Sequence, residues 1–249
     1  MSEFDECKNF KLFVKFTNEK YVDDLLNGNI FMNNINYFIE LERKQKSKGI
    51  GDRREASFVI EPEKIYFLDV ETNKVMGRPV KAEIIRRYDK ATQVPIFCYT
   101  MLTAEDFVLF EDNDDQLIFK LDIGEDLHMF SEFGDTAVIL PSNFHDLLIE
   151  SAEKQDVIAR VAGVNYQTFD KIDTDKEKLF NKGSIEMFYW KHEDFMYQRE
   201  MRFVLPNTFV EDNFAFKTDN IEAQSIVIPI AEFLERSVII ATKRKKVHS

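Results

Sequence analysis

From Ser57 onward the chain breaks into short runs of Phe, Ile, Val and Tyr, among them SFVIE, KIYFLDV, PIFCYTML and LIFKLDI. Runs of this length are too short for ordinary globular helices, and their β-branched and aromatic side chains fit a pleated surface. They predict a mostly antiparallel sheet, continued by TAVILP, IARVAGVNY, EMFYW, FMYQREMRFVLP and QSIVIPI. The segment FKLFVKF near the start has the same period. Phe10, Leu12, Val14 and Phe16 share one face, with Lys11 and Lys15 on the other. A helix is expected next, with Thr17 as cap, Tyr21, Val22, Leu25 and Leu26 as its apolar stripe, and Gly28 at its end. A short strand over Asn29 to Met32 and a second helix, INYFIELERKQK, follow. HDLLIESAEKQ is the clearest later helix, with Ser142 or Asn143 as candidate caps. With no internal repeat and no linker, the pattern predicts one α+β domain over 1–242, helices gathered early and a split sheet after them, followed by a basic tail at 243–249.

Composition bounds the function. Of 249 residues 44% are hydrophobic, and 8 Gly and 6 Pro are too few for a disordered or linker-rich chain. No run approaches the roughly 18 to 20 apolar residues that span a bilayer, and MSEFDECKNF is too acidic to open a signal peptide, so a soluble cytoplasmic protein is expected, with no membrane contact. Cys7 and Cys98 cannot build a disulfide framework. Together with four scattered His they make no zinc site of the usual spacing, and no metal is expected. The formal charge of −12 argues against a general nucleic-acid binder, because such proteins neutralise phosphates with clustered Lys and Arg. Only Lys243, Arg244, Lys245 and Lys246 in the tail run against that balance.

The segment Phe195 to Leu205 carries the strongest chemical signal. Read as a strand, it places Phe195, Tyr197, Arg199, Met201, Phe203 and Leu205 on one face and Met196, Gln198, Glu200, Arg202 and Val204 on the other. A Gln-Glu-Arg row between apolar neighbours predicts a polar row in a partly covered cleft, where a carboxylate is either paired or used. The bland alternative pairs Glu200 with Arg202. The loop GIGDRREA has two readings as well. Gly49 and Gly51 permit a tight turn from which Arg53 and Arg54 offer bidentate donors to a phosphate, or the arginines pair with local acids. Asp52 and Glu55 without a third ligand are thin grounds for a divalent metal. His192 beside Glu193 and Asp194 reads as a loop histidine. His128 and His145 have no Ser or Cys partner at useful spacing, and Trp190 reads as core. There is no G-x-G-x-x-G fingerprint and no P-loop.

Taken in order along the chain, Asp52 and Glu55 of the early loop, Cys98, Tyr99 and Thr100 at the end of a central strand, and Glu200 with Arg202 two residues on resemble a family of phage, prophage and defence-island proteins with an ADP-ribosyltransferase-like architecture. That resemblance implies a split, bent sheet holding NAD in its cleft. It implies that Lys15 and Thr100 fix the dinucleotide, that Glu200 is the catalytic carboxylate, and that Gln198 orients the acceptor; the phosphate reading of the loop adds Arg53 and Arg54 as candidates for its pyrophosphate. Lys15 stands where such proteins carry Arg or His, and Thr100 lacks the usual serine-threonine-serine run. The expected activity is transfer of ADP-ribose from NAD to a host macromolecule. The rival expectation is a catalytically silent anti-defence protein whose acidic surface occupies the basic groove of a host protein. The two part on whether Lys15, Thr100, Gln198 and Glu200 converge on one open pocket.

Overall fold

The computed structural model describes residues 10–45, 49–79, 82–113, 116–170, 173–236 and 238–242; Cys7 and the basic tail lie outside them. An eight-stranded antiparallel sheet organises the fold. Its strands are β1 (Lys11–Thr17), β2 (Asn29–Asn34), β3 (Pro95–Thr103), β4 (Thr136–Ile139), β5 (Arg160–Gly163), β6 (Glu200–Val204), β7 (Asn213–Lys217) and β8 (Ile226–Pro229). They run β5–β6–β3–β1–β4–β8, and β2 joins β3 to β7. The helices are α1 (Val22–Leu26), α2 (Ile35–Gln45), α3 (Phe144–Lys154), α4 (Thr174–Asn181) and α5 (Ile230–Arg236). The class is therefore α+β with a mostly antiparallel sheet. One short parallel pair, Asn165–Gln167 with Trp190–His192, stands beside it.

Alternation along the strands sorts the core. On one face Phe13, Phe97, Tyr99, Met201 and Phe203 pack against Val22 and Leu25 of α1 and Phe144, Leu148 and Ala152 of α3. On the other face the apolar packing falls into two clusters. Ile96 and Val204 meet Ile35 and Ile39 of α2 with Phe58, Phe188 and Trp190, whereas Val14, Phe16 and Ala137 meet Phe130 and Phe233. Each such ring or branched chain stabilises by roughly 1.5 to 3 kcal/mol when fully buried. Helix α2 begins where Asn34 accepts the Tyr37 N–H on Oδ1 at 2.9 Å, an N-cap contact that satisfies one orphan donor of the first turn.

The sheet is interrupted at its middle. Strand β3 pairs with β6 from Ile96↔Val204 to Thr100↔Glu200. On its other edge it pairs with β1 from Val14↔Thr100 to Lys11↔Thr103, and with β2 at Ile96↔Asn33 and Pro95↔Asn34. Between those two stretches, from Phe97 to Tyr99, no strand among the described residues covers that edge. Beyond Val14, β1 keeps only β4 as partner, through Thr17↔Thr136.

Several expectations are corrected. Phe195 to Leu205 is not one strand: Glu193–Gln198 is a 3-10 turn, Arg199 is left-handed at φ 46°, and the strand is Glu200–Val204 alone. Both faces of that strand are buried because it is interior to the sheet and covered on each side. EMFYW forms the 3-10 turn Ile185–Tyr189 and the start of a short strand, and KIYFLDV contributes only Phe67–Leu68, both exposed. Helices are not confined to the early chain, since α3, α4 and α5 follow. Helix α4 is capped by Asp173, whose carboxylate accepts the N–H groups of Asp175 and Lys176, a local signal present in the sequence and left unused.

Met201 is 6% exposed and packs in the α1/α3 cluster. Met201→Asp is expected to remove at least ~3 kcal/mol by burying an unpaired charge. A urea-denaturation midpoint equal to that of the wild type contradicts this placement.

Candidate functional site

Arg202 is fully buried, so each of its five N–H donors needs an acceptor. Nη1 and Nη2 clamp Glu55 at 2.7 Å each, Nε and Nη2 reach the two oxygens of Glu200 at 2.7 and 3.3 Å, and Nη1 also donates to the Phe188 carbonyl at 2.6 Å. The second cation is Lys191. Its Nζ donates to Glu200 at 2.8 Å and to the Gln198 side-chain oxygen at 2.6 Å, and stands 3.5 Å from Glu55. Two carboxylates and two cations thus neutralise each other, which is the condition on which buried charge is tolerated. Burial pushes the Glu200 carboxyl up, but Arg202 and Lys191 outweigh it and hold Glu200 below the ordinary carboxylate range. For Lys191 burial pushes the other way and is overcome by Glu200 and Glu55, so the ammonium is held more firmly than usual.

The loop that precedes this quartet is stitched to it. The Gly49 carbonyl accepts from the Tyr197 hydroxyl at 2.8 Å and from the Gln198 amide at 2.9 Å. Gly51 lies so close to α2 that a Cβ there would stand 2.3 Å from the Glu42 nitrogen and 2.7 Å from the Phe38 carbonyl oxygen, which only glycine allows. Glu55 is thereby delivered to Arg202. Asp52 is buried, accepts the Arg54 N–H on Oδ1, and leaves Oδ2 without a partner. Burial and the neighbouring Glu55 push its pKa up to about 6, with Lys191 opposing.

Lys15, Thr100, Gln198 and Glu200 all line one cleft of about 800 Å3. It opens where β1 and β3 part. There the Lys15 ammonium donates to the Cys98 carbonyl at 2.6 Å, a side-chain bond at the point where the β1–β3 ladder stops. Burial lowers the pKa of Lys15, with Cys98 and Glu200 working against it. Thr100 donates from its hydroxyl to the Gln198 carbonyl at 3.1 Å. Tyr21, Phe31 and Tyr37 also line the cleft and remain exposed, so aromatic surface faces solvent there. The Cys98 thiol is pushed up by burial and by Glu200.

Other sequence candidates fall elsewhere. Arg53 pairs with Glu83, and Arg54 with Glu83 and Glu61; neither lines the cleft, which is the bland reading of GIGDRREA. Glu55 serves Arg202, and among the described residues no group of three metal-ligating side chains is found. Trp190 is core, with the Lys176 ammonium 4.8 Å from its ring. Gln198 reaches the site from the 3-10 turn through left-handed Arg199, whose guanidinium is anchored by Asp106 and whose carbonyl accepts the Met101 N–H at 2.9 Å. Sequence reasoning missed Lys191 and Tyr166, whose hydroxyl oxygen accepts the Glu200 backbone N–H at 2.9 Å. A lysine set directly after the aromatic run MFYW was the available signal for the first.

The raised pKa of Asp52 means that between about pH 4 and pH 6 the folded chain binds a proton that the unfolded chain releases. Stability therefore falls as pH rises through that window and stays lower above it. Asp52→Asn keeps an acceptor for the Arg54 N–H and removes the charge. It is expected to stabilise by about 2 to 3 kcal/mol at pH 7.5, with the gain shrinking toward pH 4. Urea denaturation at the two pH values checks this, and an equal gain at both contradicts it.

In comparisons with protein-family models, curated proteins and solved structures, nothing matches the chain.

Proposed function

We propose that the cleft between β1 and β3 takes NAD and that the protein transfers ADP-ribose from it to a macromolecular acceptor, with Glu200 as the catalytic carboxylate. The observation that carries this reading is the convergence of Lys15, Thr100, Gln198 and Glu200 on one cleft at the opening of the sheet. A volume of about 800 Å3 falls in the range of small-molecule sites. The residues present suit such a ligand. Lys15 supplies an ammonium that makes no ion pair among the described residues, and Tyr21, Phe31 and Tyr37 offer exposed rings to planar groups.

NAD supplies a glycosidic bond whose cleavage leaves positive charge on the ribose. Glu200 is held ionised and oriented before any ligand arrives, so it meets that charge without reorganisation. Gln198 has its amide oxygen on Lys191 and its amide nitrogen on Gly49, which makes it a positioning residue for Glu200 and the loop rather than a free hand for the acceptor. Thr100 ties the turn carrying Gln198 to β3.

Glu200→Gln keeps the shape and removes the charge. Labelled-NAD transfer, with NAD hydrolysis as the acceptor-free control, is expected to fall by about 10²-fold or more at a temperature where the variant is still folded, and the melting midpoint is expected to fall because buried Lys191 and Arg202 lose a counter-charge. Wild-type protein that neither transfers nor hydrolyses, and shows no NAD binding by calorimetry, overturns the reading and leaves Glu200 as a structural partner of Arg202.

A further inference from the structure

Lys15 stands apart from the other cations at the base of the cleft. Lys191 and Arg202 spend every donor on carboxylates and carbonyls, whereas Lys15 has one hydrogen bond, to the Cys98 carbonyl, and makes no ion pair among the described residues. Its Nζ lies 4.7 Å from the centroid of the Phe97 ring, so one side of the amine faces apolar surface and another faces the cleft. We propose that Lys15 is a reactive amine that condenses with small aldehydes admitted to the cleft, including the open-chain form of a reducing sugar, to give an imine.

The geometry suits each stage of that reaction. The free amine of Lys15 attacks the carbonyl carbon, forming the C–N bond as the C=O π electrons pass to oxygen, which takes a proton from solvent. That oxygen, protonated again, leaves as water while nitrogen gives up one proton, so that amine, aldehyde and one proton from solvent yield the protonated imine and water. The protonated imine keeps a single N–H, and the Cys98 carbonyl stands where it can accept it. Glu200 stands near enough to Lys15 to favour its positive charge. Burial lowers the pKa of Lys15, which enlarges the fraction of free amine at neutral pH relative to a solvated lysine near 10.4. The exposed Tyr21, Phe31 and Tyr37 favour aldehydes that carry a ring. This inference goes beyond the NAD reading and does not rest on it, because the reaction needs no NAD.

The test incubates the full chain with pyridoxal at pH 7.5, reduces adducts with cyanoborohydride, and locates them by peptide mass spectrometry. Lys15 is expected to be labelled at least ~10-fold faster than the exposed Lys64 and Lys74 in the folded protein, and at the same rate as they are in urea. Lys15→Arg is expected to lose the selective adduct while the others persist. Should that variant fail to fold, the comparison of folded with urea-treated wild type decides alone. Labelling of Lys15 no faster than that of Lys64 and Lys74 in the folded protein overturns the proposal. Pyridoxal labelling without NAD binding separates failure of the NAD reading from failure of this one.

Discussion

The arginine at position 202 sets the terms for the fold around it. A guanidinium with no access to water cannot lose its proton, so the protein must surround it with acceptors. It does so from three places far apart in the chain: the early loop through Glu55, the 3-10 turn before Trp190 through the Phe188 carbonyl, and its own strand through Glu200. The bonds to Glu55 and to the Phe188 carbonyl therefore fix tertiary structure, while the bond to Glu200, two residues away, is local. The loop can reach that position only because Gly51 admits the backbone of α2 at close range.

Electrostatic balance explains why the cleft has two kinds of cation at its base. Glu55 and Glu200 are matched by Arg202 and Lys191, which leaves Lys15 as surplus and Asp52 as a buried carboxyl with one oxygen unsatisfied. Neither improves stability, since partial burial disfavours the charge of the one and burial makes the other reluctant to ionise. Of the two, Lys15 lines the cleft and Asp52 lies in the loop that carries Glu55.

What could be read from sequence follows from where each segment lies. FKLFVKF was legible as a strand, although its face of Phe10, Leu12, Val14 and Phe16 is not the only buried one: Phe13 is buried on the other side. Alternation failed at Phe195 to Leu205 because two conditions of that inference were missing. The second half has no solvent face, and the first half turns through a left-handed residue that no pattern of apolar positions reveals. Lys15, Thr100, Gln198 and Glu200 were legible as a group through a resemblance, and they do share a cleft. The pairing of Glu55 with Arg202, separated by 147 positions, leaves no local trace, and nothing in GIGDRREA distinguishes arginines waiting for a phosphate from arginines already matched to Glu83 and Glu61.

The opening on one edge of β3 changes what holds the centre of the sheet together. Across its centre, among the described residues, β1 and β3 are fastened by a short ladder at one end, and past Val14 the strands are tied by an ammonium-to-carbonyl bond. There the length of one lysine side chain, in place of backbone rungs, sets the spacing between β1 and β3 beside the cleft.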